Sequence, residues 1–333
     1  MSEADLKLDL MTPSIELRGT VWKETASTES GMFAPVGSPP LRARQRRGFT
    51  LIEMLLVVVI VCMLAAMLLP AIQQAREAAR RVACQNKLLQ IGLALQNYSS
   101  AHGVLPPGVV NATGPIVANE NVAEYHMSWI VQMLPFLELK NEYHHVDFTR
   151  SVYAPENAAV RLQRLNVLRC PSSTSQSGPD YAGIHNDFET PIDSNQNGVL
   201  FLNSSIRLSD VTDGRTNTMF VVETNSATGS GLGWMSGTSS TLRNAVIWTT
   251  RDRPDEPPRY VVRTMNDRGP SIQQQLADLE RGTAAVGGPG STHSGGFNCM
   301  MGDGAVRMVS PTVDPFVLRN LAHRADGEMP GEF

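Results

Sequence analysis

Residues 46–72 read RRGFTLIEMLLVVVIVCMLAAMLLPAI, and the fold turns on this stretch. Between Phe49 and Ile72 the one charged side chain is Glu53, and the next charge is Arg76. About 20 apolar residues in a helix span the hydrocarbon core of a bilayer. The competing reading is a buried core helix, but core helices rarely run this long with every face apolar. Upstream lie Arg42, Arg44, Arg46 and Arg47, which favour a cytoplasmic N-terminus. Arg76, Arg80, Arg81 and Lys87 follow on the far side, so charge bias alone does not orient the segment. A secretory signal peptide would need a shorter apolar core and a small-x-small exit. Ala65-Ala66 comes too early for that exit, and Leu68-Leu69-Pro70 is a poor one.

The remainder of the chain reads as a folded, non-membrane protein. Of 333 residues, 42% are hydrophobic and 18% charged, too apolar for a disordered chain. The length suits one to three domains. A net charge of −4 gives no basic field for nucleic acid. Four cysteines exclude a disulfide-stapled miniprotein, and a mean hydropathy of −0.14 excludes a multi-span membrane protein.

Arg46-Arg47-Gly48-Phe49-Thr50-Leu51-Ile52-Glu53 resembles the type IV prepilin cleavage signature: a basic leader, a glycine, an aromatic residue, and a glutamate at the fifth position after the cut. The resemblance implies that a prepilin peptidase cuts between Gly48 and Phe49 and leaves the apolar segment on the mature chain. Pro70 falls where a pilin helix commonly has a proline. Glu53 would be costly in an apolar segment without a partner. One reading has it snorkelling to the headgroups; the pilin reading pairs it with the amine of Phe49 freed on a neighbouring subunit. A leader of residues 1–48 is long for this class. Residues 1–31 are polar and mixed, so they are expected to be disordered, or translation starts at Met32.

The helix should continue past the membrane to about residue 100. Cys84, Leu88, Ile91, Leu95 and Tyr98 are spaced 4, 3, 4, 3, one helical face, before Gly103 and Pro106-Pro107-Gly108. Further helices are expected over 128–139, shortened by Pro135, over 155–167, and over 271–280 within a polar loop excursion at 251–290. VLFL (199–202), TMFVVE (218–223), AVIWTT (245–250) and YVVRT (260–264) read as strands. FNCMM (297–301) and AVRMV (305–309) flank Gly302-Asp303-Gly304, a hairpin signal. His293 precedes Asp303 with nine residues between them.

Several blocks in order resemble one family: CQNKLLQIGLALQNYSSAHGVLPPG (84–108), SWIVQMLPFLE (128–138), RCPSS (169–173), TDGRTNTMFVVE (212–223) and STHSGGFNCMMGDGAVRMV (291–309). They are similar to the prepilin-like proteins abundant in planctomycetes, the domain-of-unknown-function family numbered 1559, with its closing motif carried here by His293, Asp303 and Gly304. Lys87 and Leu89 depart from the usual asparagine and lysine. The resemblance implies a membrane-anchored, pilin-like subunit facing the cell exterior. Cys84 and Cys170 both lie in family-like blocks and are the pair to bond if any disulfide forms; buried thiols are the other reading.

The chemical candidates are few. His293 with Asp303 supplies two metal ligands where a structural zinc wants four, so the simpler reading has Asp303 serving the turn and His293 bonding backbone near it. His144-His145 with Asp147 should not share an ion, because adjacent helical residues point apart. Asp193, Asn195 and Asn197 match the first half of a calcium loop, but the closing position holds Ser204 rather than glutamate. Asp213-Gly214-Arg215-Thr216-Asn217-Thr218 reads as a turn whose side chains bond the backbone. No G-x-S-x-G, H-E-x-x-H or C-x-x-C occurs.

The expectation is therefore an α+β protein: leader 1–48, a pilin-like helix 49–100 with its membrane part at about 49–72, and a β-rich extracytoplasmic domain 101–333. The favoured function is a non-enzymatic pilin-like or pseudopilin subunit of the inner membrane. It is cleaved by prepilin peptidase and assembled with like subunits in a surface filament or a type II secretion-like pseudopilus. No cofactor is expected beyond the calcium candidate, and no nucleic-acid partner. The alternatives are a singly anchored binding module for a glycan or protein, and an anchored hydrolase, which lacks a nucleophile–base pair.

Overall fold

Helix α1 runs from Leu51 to His102. It ends where Gly103 adopts a left-handed backbone (φ 75°) and its N–H bonds the Ser99 carbonyl, a common helix stop. The computed structural model describes residues 48–173, 178–224, 232–245, 286–293, 295–310 and 312–331. The leader through residue 47, the expected strand 260–264, the expected helix 271–280 and most of the 251–290 excursion lie outside them. The chain divides into two units, residues 1–59 and 60–333. Among the described residues α1 is the one helix long and apolar enough to cross a membrane, and its side chains from Leu51 to Ile72 are all exposed.

In the second unit, the later turns of α1 present the face that the spacing predicts. Cys84, Leu88, Ile91, Leu95 and Tyr98 are all buried. Each fully buried aliphatic side chain contributes about 1.5–3 kcal/mol. After α1 come a short antiparallel ribbon, β1 (Val109–Val110) and β2 (Met127–Ser128), then α2 (Trp129–Met133), α3 (Lys140–His144) and α4 (Pro155–Arg161). Pro135 sits in a 3-10 turn, Leu134–Leu137, so the helix expected over 128–139 is cut short as its proline requires. The helix expected over 155–167 likewise stops at Arg161, with a separate 3-10 turn at Asn166–Leu168.

The sheet has five strands: β3 (Tyr181–Asn186), β4 (Met219–Glu223), β5 (Leu242–Asn244), β6 (Phe297–Met301) and β7 (Val306–Val309), in the order β5-β3-β4-β6-β7. Only β3 and β5 are parallel; the other neighbours are antiparallel. One face packs on α1: Met300 lies against Gly92, and the Tyr181 hydroxyl donates to the Cys84 carbonyl at 3.2 Å. The other face, with Phe297, Cys299 and Met301, packs on α5 (Pro315–Ala322) through Leu318 and Leu321. The parity of β6 is clean. In β4 it slips, because a register shift between Met219 and Val221 turns both Phe220 and Val221 toward the α1 side.

One strand expectation is corrected. Residues 199–202 are buried but form no ladder. Val199 and Leu200 N–H both bond the Ile184 carbonyl, while the Phe201 carbonyl takes Gly108 N–H. A Cβ on Gly108 would lie 2.3 Å from the Leu200 backbone, so this is a crossing of two main chains rather than a strand. Of the strand expected at 245–250 only Ala245 is among the described residues, just past the end of β5 at Asn244, and 246–250 lie outside them. The hairpin at Gly302-Asp303-Gly304 forms as expected, with Met300 opposite Val306.

Candidate functional site

At the processing end, among the described residues nothing lies within 4 Å of where a Cβ on Gly48 would stand, and Phe49 is exposed. Thr50 precedes the first turn of α1. Its N–H and hydroxyl both donate to Glu53 Oε2, at 2.9 and 2.8 Å, and Glu53 N–H bonds back to the Thr50 hydroxyl at 3.3 Å. This is a capping box, which satisfies amides that the first helical turn leaves unpaired. The signal, Thr-x-x-Glu ahead of an apolar run, was present in the sequence but absorbed by the membrane reading. Glu53 thus has a partner in its own chain, besides any that assembly would supply.

The second unit holds a buried cluster that spacing could not show. Cys84 on α1 and Cys170 on the loop before β3 form a disulfide, with Cα atoms 5.2 Å apart. His293 stands over it, its side chain fully buried. Nδ1 lies 2.7 Å from Glu77 Oε1; Nε2 lies 3.4 Å from Cys170 Sγ and 3.3 Å from Glu223 Oε1. Glu77 is seven residues before Cys84, two turns along one face of α1. The Glu77 carboxyl also takes Arg80 at 2.6 Å. Glu223, at the end of β4, accepts on Oε2 from the Asn298 N–H at 3.1 Å and its side-chain amide at 3.0 Å. Cys170 N–H donates to Asp180, and Lys87 donates to the Arg169 carbonyl beside it.

The electrostatics of the two carboxyls diverge. The hydrogen bond from His293, then Arg80, holds Glu77 below the usual carboxylate range, so it accepts and His293 Nδ1 carries the donated proton. Burial pushes Glu223 up, opposed by Asn298 and His293. With Nδ1 taken by Glu77, the other ring nitrogen, Nε2, faces Cys170 Sγ and Glu223. One atom each from Cys84, Cys170, Glu223 and His293 lies within 4.8 Å of the others.

The other candidates fall elsewhere. His293 takes side-chain partners rather than the backbone bond expected of it. Asp303 Oδ1 accepts from Ala305 N–H, the turn role expected, and the Asp303 carbonyl accepts from Gln96 on α1. Gly304 has φ 90°, which suits glycine. Asp193 Oδ1 accepts from Ser194 N–H, Asn195 has φ 62°, and the Asn197 amide donates to Asp187. His145 bonds the Asn141 carbonyl and Asp147 bonds Thr149. Asp213 holds the C-terminal segment by accepting from Asp326 and Gly327 N–H, both at 2.8 Å, a tie the sequence did not announce. Cys299 is a buried free thiol on the α5 side, pushed up to about 12 by burial, and Cys62 is exposed on α1.

Comparison with known proteins gives two matches. The family model described as a protein of unknown function (DUF1559) covers residues 73–316, and the prokaryotic N-terminal methylation motif covers residues 43–69. No curated protein and no solved structure gives a significant match.

Proposed function

Because the chain belongs to the DUF1559 family and carries a prokaryotic N-terminal methylation motif at the head of a single apolar helix, we propose that it is a type IV pilin-like structural subunit, cut after Gly48 and assembled through α1. The observation that carries this reading is the run from Arg46 to Glu53 placed directly on the start of α1. A peptidase on the cytoplasmic face removes the leader and leaves Phe49 as the first residue, a substrate for N-methylation. The chain stays in the inner membrane through residues up to about 72, with residues 101–333 outside the cytoplasm. Its working partners are the prepilin peptidase and like subunits in a surface filament or a pseudopilus. The role is structural.

N-terminal sequencing of the membrane-extracted protein tests the processing step. The expected mature N-terminus is Phe49, and Gly48→Ala should leave much of the precursor uncut. A mature chain starting beyond Pro70, or an intact leader in cells with an active peptidase, would overturn it.

A further inference from the structure

The buried cluster of Cys84, Cys170, His293 and Glu223 goes beyond a subunit's structural role. Two sulfurs, an imidazole nitrogen and a carboxylate oxygen are a zinc donor set of the usual number and kind. Zinc bonds of about 2.0–2.3 Å give tetrahedral edges of about 3.3–3.8 Å between ligand atoms. His293 Nε2 already stands 3.4 Å from Cys170 Sγ and 3.3 Å from Glu223 Oε1. The surrounding groups are those that orient ligands. Nδ1 of His293 is held by the Glu77 carboxylate, the arrangement that fixes tautomer and ring direction in metal-bound histidines. Asn298 holds Oε2 of Glu223 with two hydrogen bonds and leaves Oε1 turned to the cluster. Water is largely excluded, since Cys84 is fully buried and Glu223 is 2% exposed.

We propose that the dithiol state of this chain binds one zinc ion through Cys84, Cys170, His293 and Glu223, and that the Cys84–Cys170 disulfide is the metal-free state of the same site. The two states interconvert by ordinary chemistry. A dithiol reductant gives two electrons and two protons to the disulfide and becomes a disulfide itself. The ion then displaces both thiol protons, and the thiolates move apart to the length of a tetrahedral edge. The reverse step is thiol–disulfide exchange with a partner disulfide: the Cys84–Cys170 bond forms, the partner's S–S bond breaks and takes the two electrons as two thiols with protons from water, and the ion is released.

Full-length protein with Cys62→Ser, held in detergent, is the sample. A phosphine reductant, which takes its oxygen from water as it yields two thiols, is removed without air, and Co²⁺ and then Zn²⁺ are titrated against a chromophoric chelator. The reduced chain should take up one equivalent, with thiolate-to-cobalt charge transfer and strong tetrahedral ligand-field bands; the oxidised chain should take up none. Glu223→Gln and His293→Ala should each weaken binding by tenfold or more, and Glu77→Gln by about tenfold or more through the histidine. Circular dichroism shows which variants are folded, and Glu223→Gln, the closest in shape, decides if His293→Ala is not. The proposal is overturned if the reduced parent shows no thiolate charge transfer, if Cys84→Ser/Cys170→Ser binds as tightly as the parent, or if Glu223→Gln and Glu77→Gln leave the affinity unchanged.

Discussion

Glu77 ties α1 to the cluster through His293 and so should show its worth in a pH series. Replacing it with glutamine keeps the shape and removes the charge, and a hydrogen bond to a charged group contributes about 1.5–3 kcal/mol. The folded-state value of Glu77 lies below its ordinary one, so its stabilisation is present above the ordinary carboxylate range and is lost as pH falls through the depressed value. Glu223 acts with the opposite sign: raised by burial, it favours folding most below the ordinary range and loses that contribution as pH rises through its folded value. Glu77→Gln should therefore cost about 1.5–3 kcal/mol in denaturant unfolding at neutral pH, and the gap from the parent should close as pH falls below the ordinary carboxylate range. A gap that does not change with pH would mean that Glu77 acts by packing alone. His293 was visible in the sequence as a motif residue, but its neighbours were not. Its partners Glu77 and Glu223 are 216 and 70 positions away, brought in by α1 and β4, and no local spacing encodes them. Asp303 was legible because an Asp-Gly turn is a local event.

At α1, the periodic face from Cys84 to Tyr98 is the interaction that docks helix on sheet. Ile91 is fully buried at its centre, and the next residue, Gly92, lets Met300 approach to 3.1 Å of the position a Cβ would take. Ile91→Asp places an unpaired charge in that contact and should destabilise the second unit by at least about 3 kcal/mol, measured as a drop in melting temperature and earlier proteolysis of detergent-extracted protein. Melting equal to the parent would show that the stripe does not carry the packing. This face was legible because a helix against a sheet writes its burial into a 3.6-residue period. Strand β3 was not. All six of its residues are buried, so it has no alternation, and its polar members bond inside the fold: His185 Nδ1 bonds Gln196 while Nε2 has no partner among the described residues, and Asn186 accepts from Asn197 N–H. Residues 199–202 misled in the opposite way. Four apolar residues in a row read as a strand, but glycines at 108, 183 and 198 let other main chains close on them where a ladder would have run.

The assembled state is where Glu53 must be judged, and the capping box makes the test sharper. A carboxylate in an apolar helix costs roughly 2.5–3.5 kcal/mol at the centre of the bilayer and less near the interface. Two interactions can offset that cost: the cap with Thr50 in the same chain, and a charge pair with the Phe49 amine of a neighbouring subunit. The cap needs only a hydrogen-bonding side chain at this position, and glutamine serves it. The charge pair needs the carboxylate itself. Cysteine pairs engineered along residues 54–69, with Cys62 otherwise replaced, should crosslink the parent protein into a ladder of multimers. If the charge pair sets the register, Glu53→Gln and Glu53→Leu are both inserted and cleaved, and both lose the ladder. If the ladder survives Glu53→Gln and is lost only with leucine, the cap is what matters and the charge-pairing account is wrong. If the parent itself forms no ladder, α1 is a permanent anchor, and a singly anchored module that binds a glycan or protein outside the cytoplasm becomes the better account of the chain.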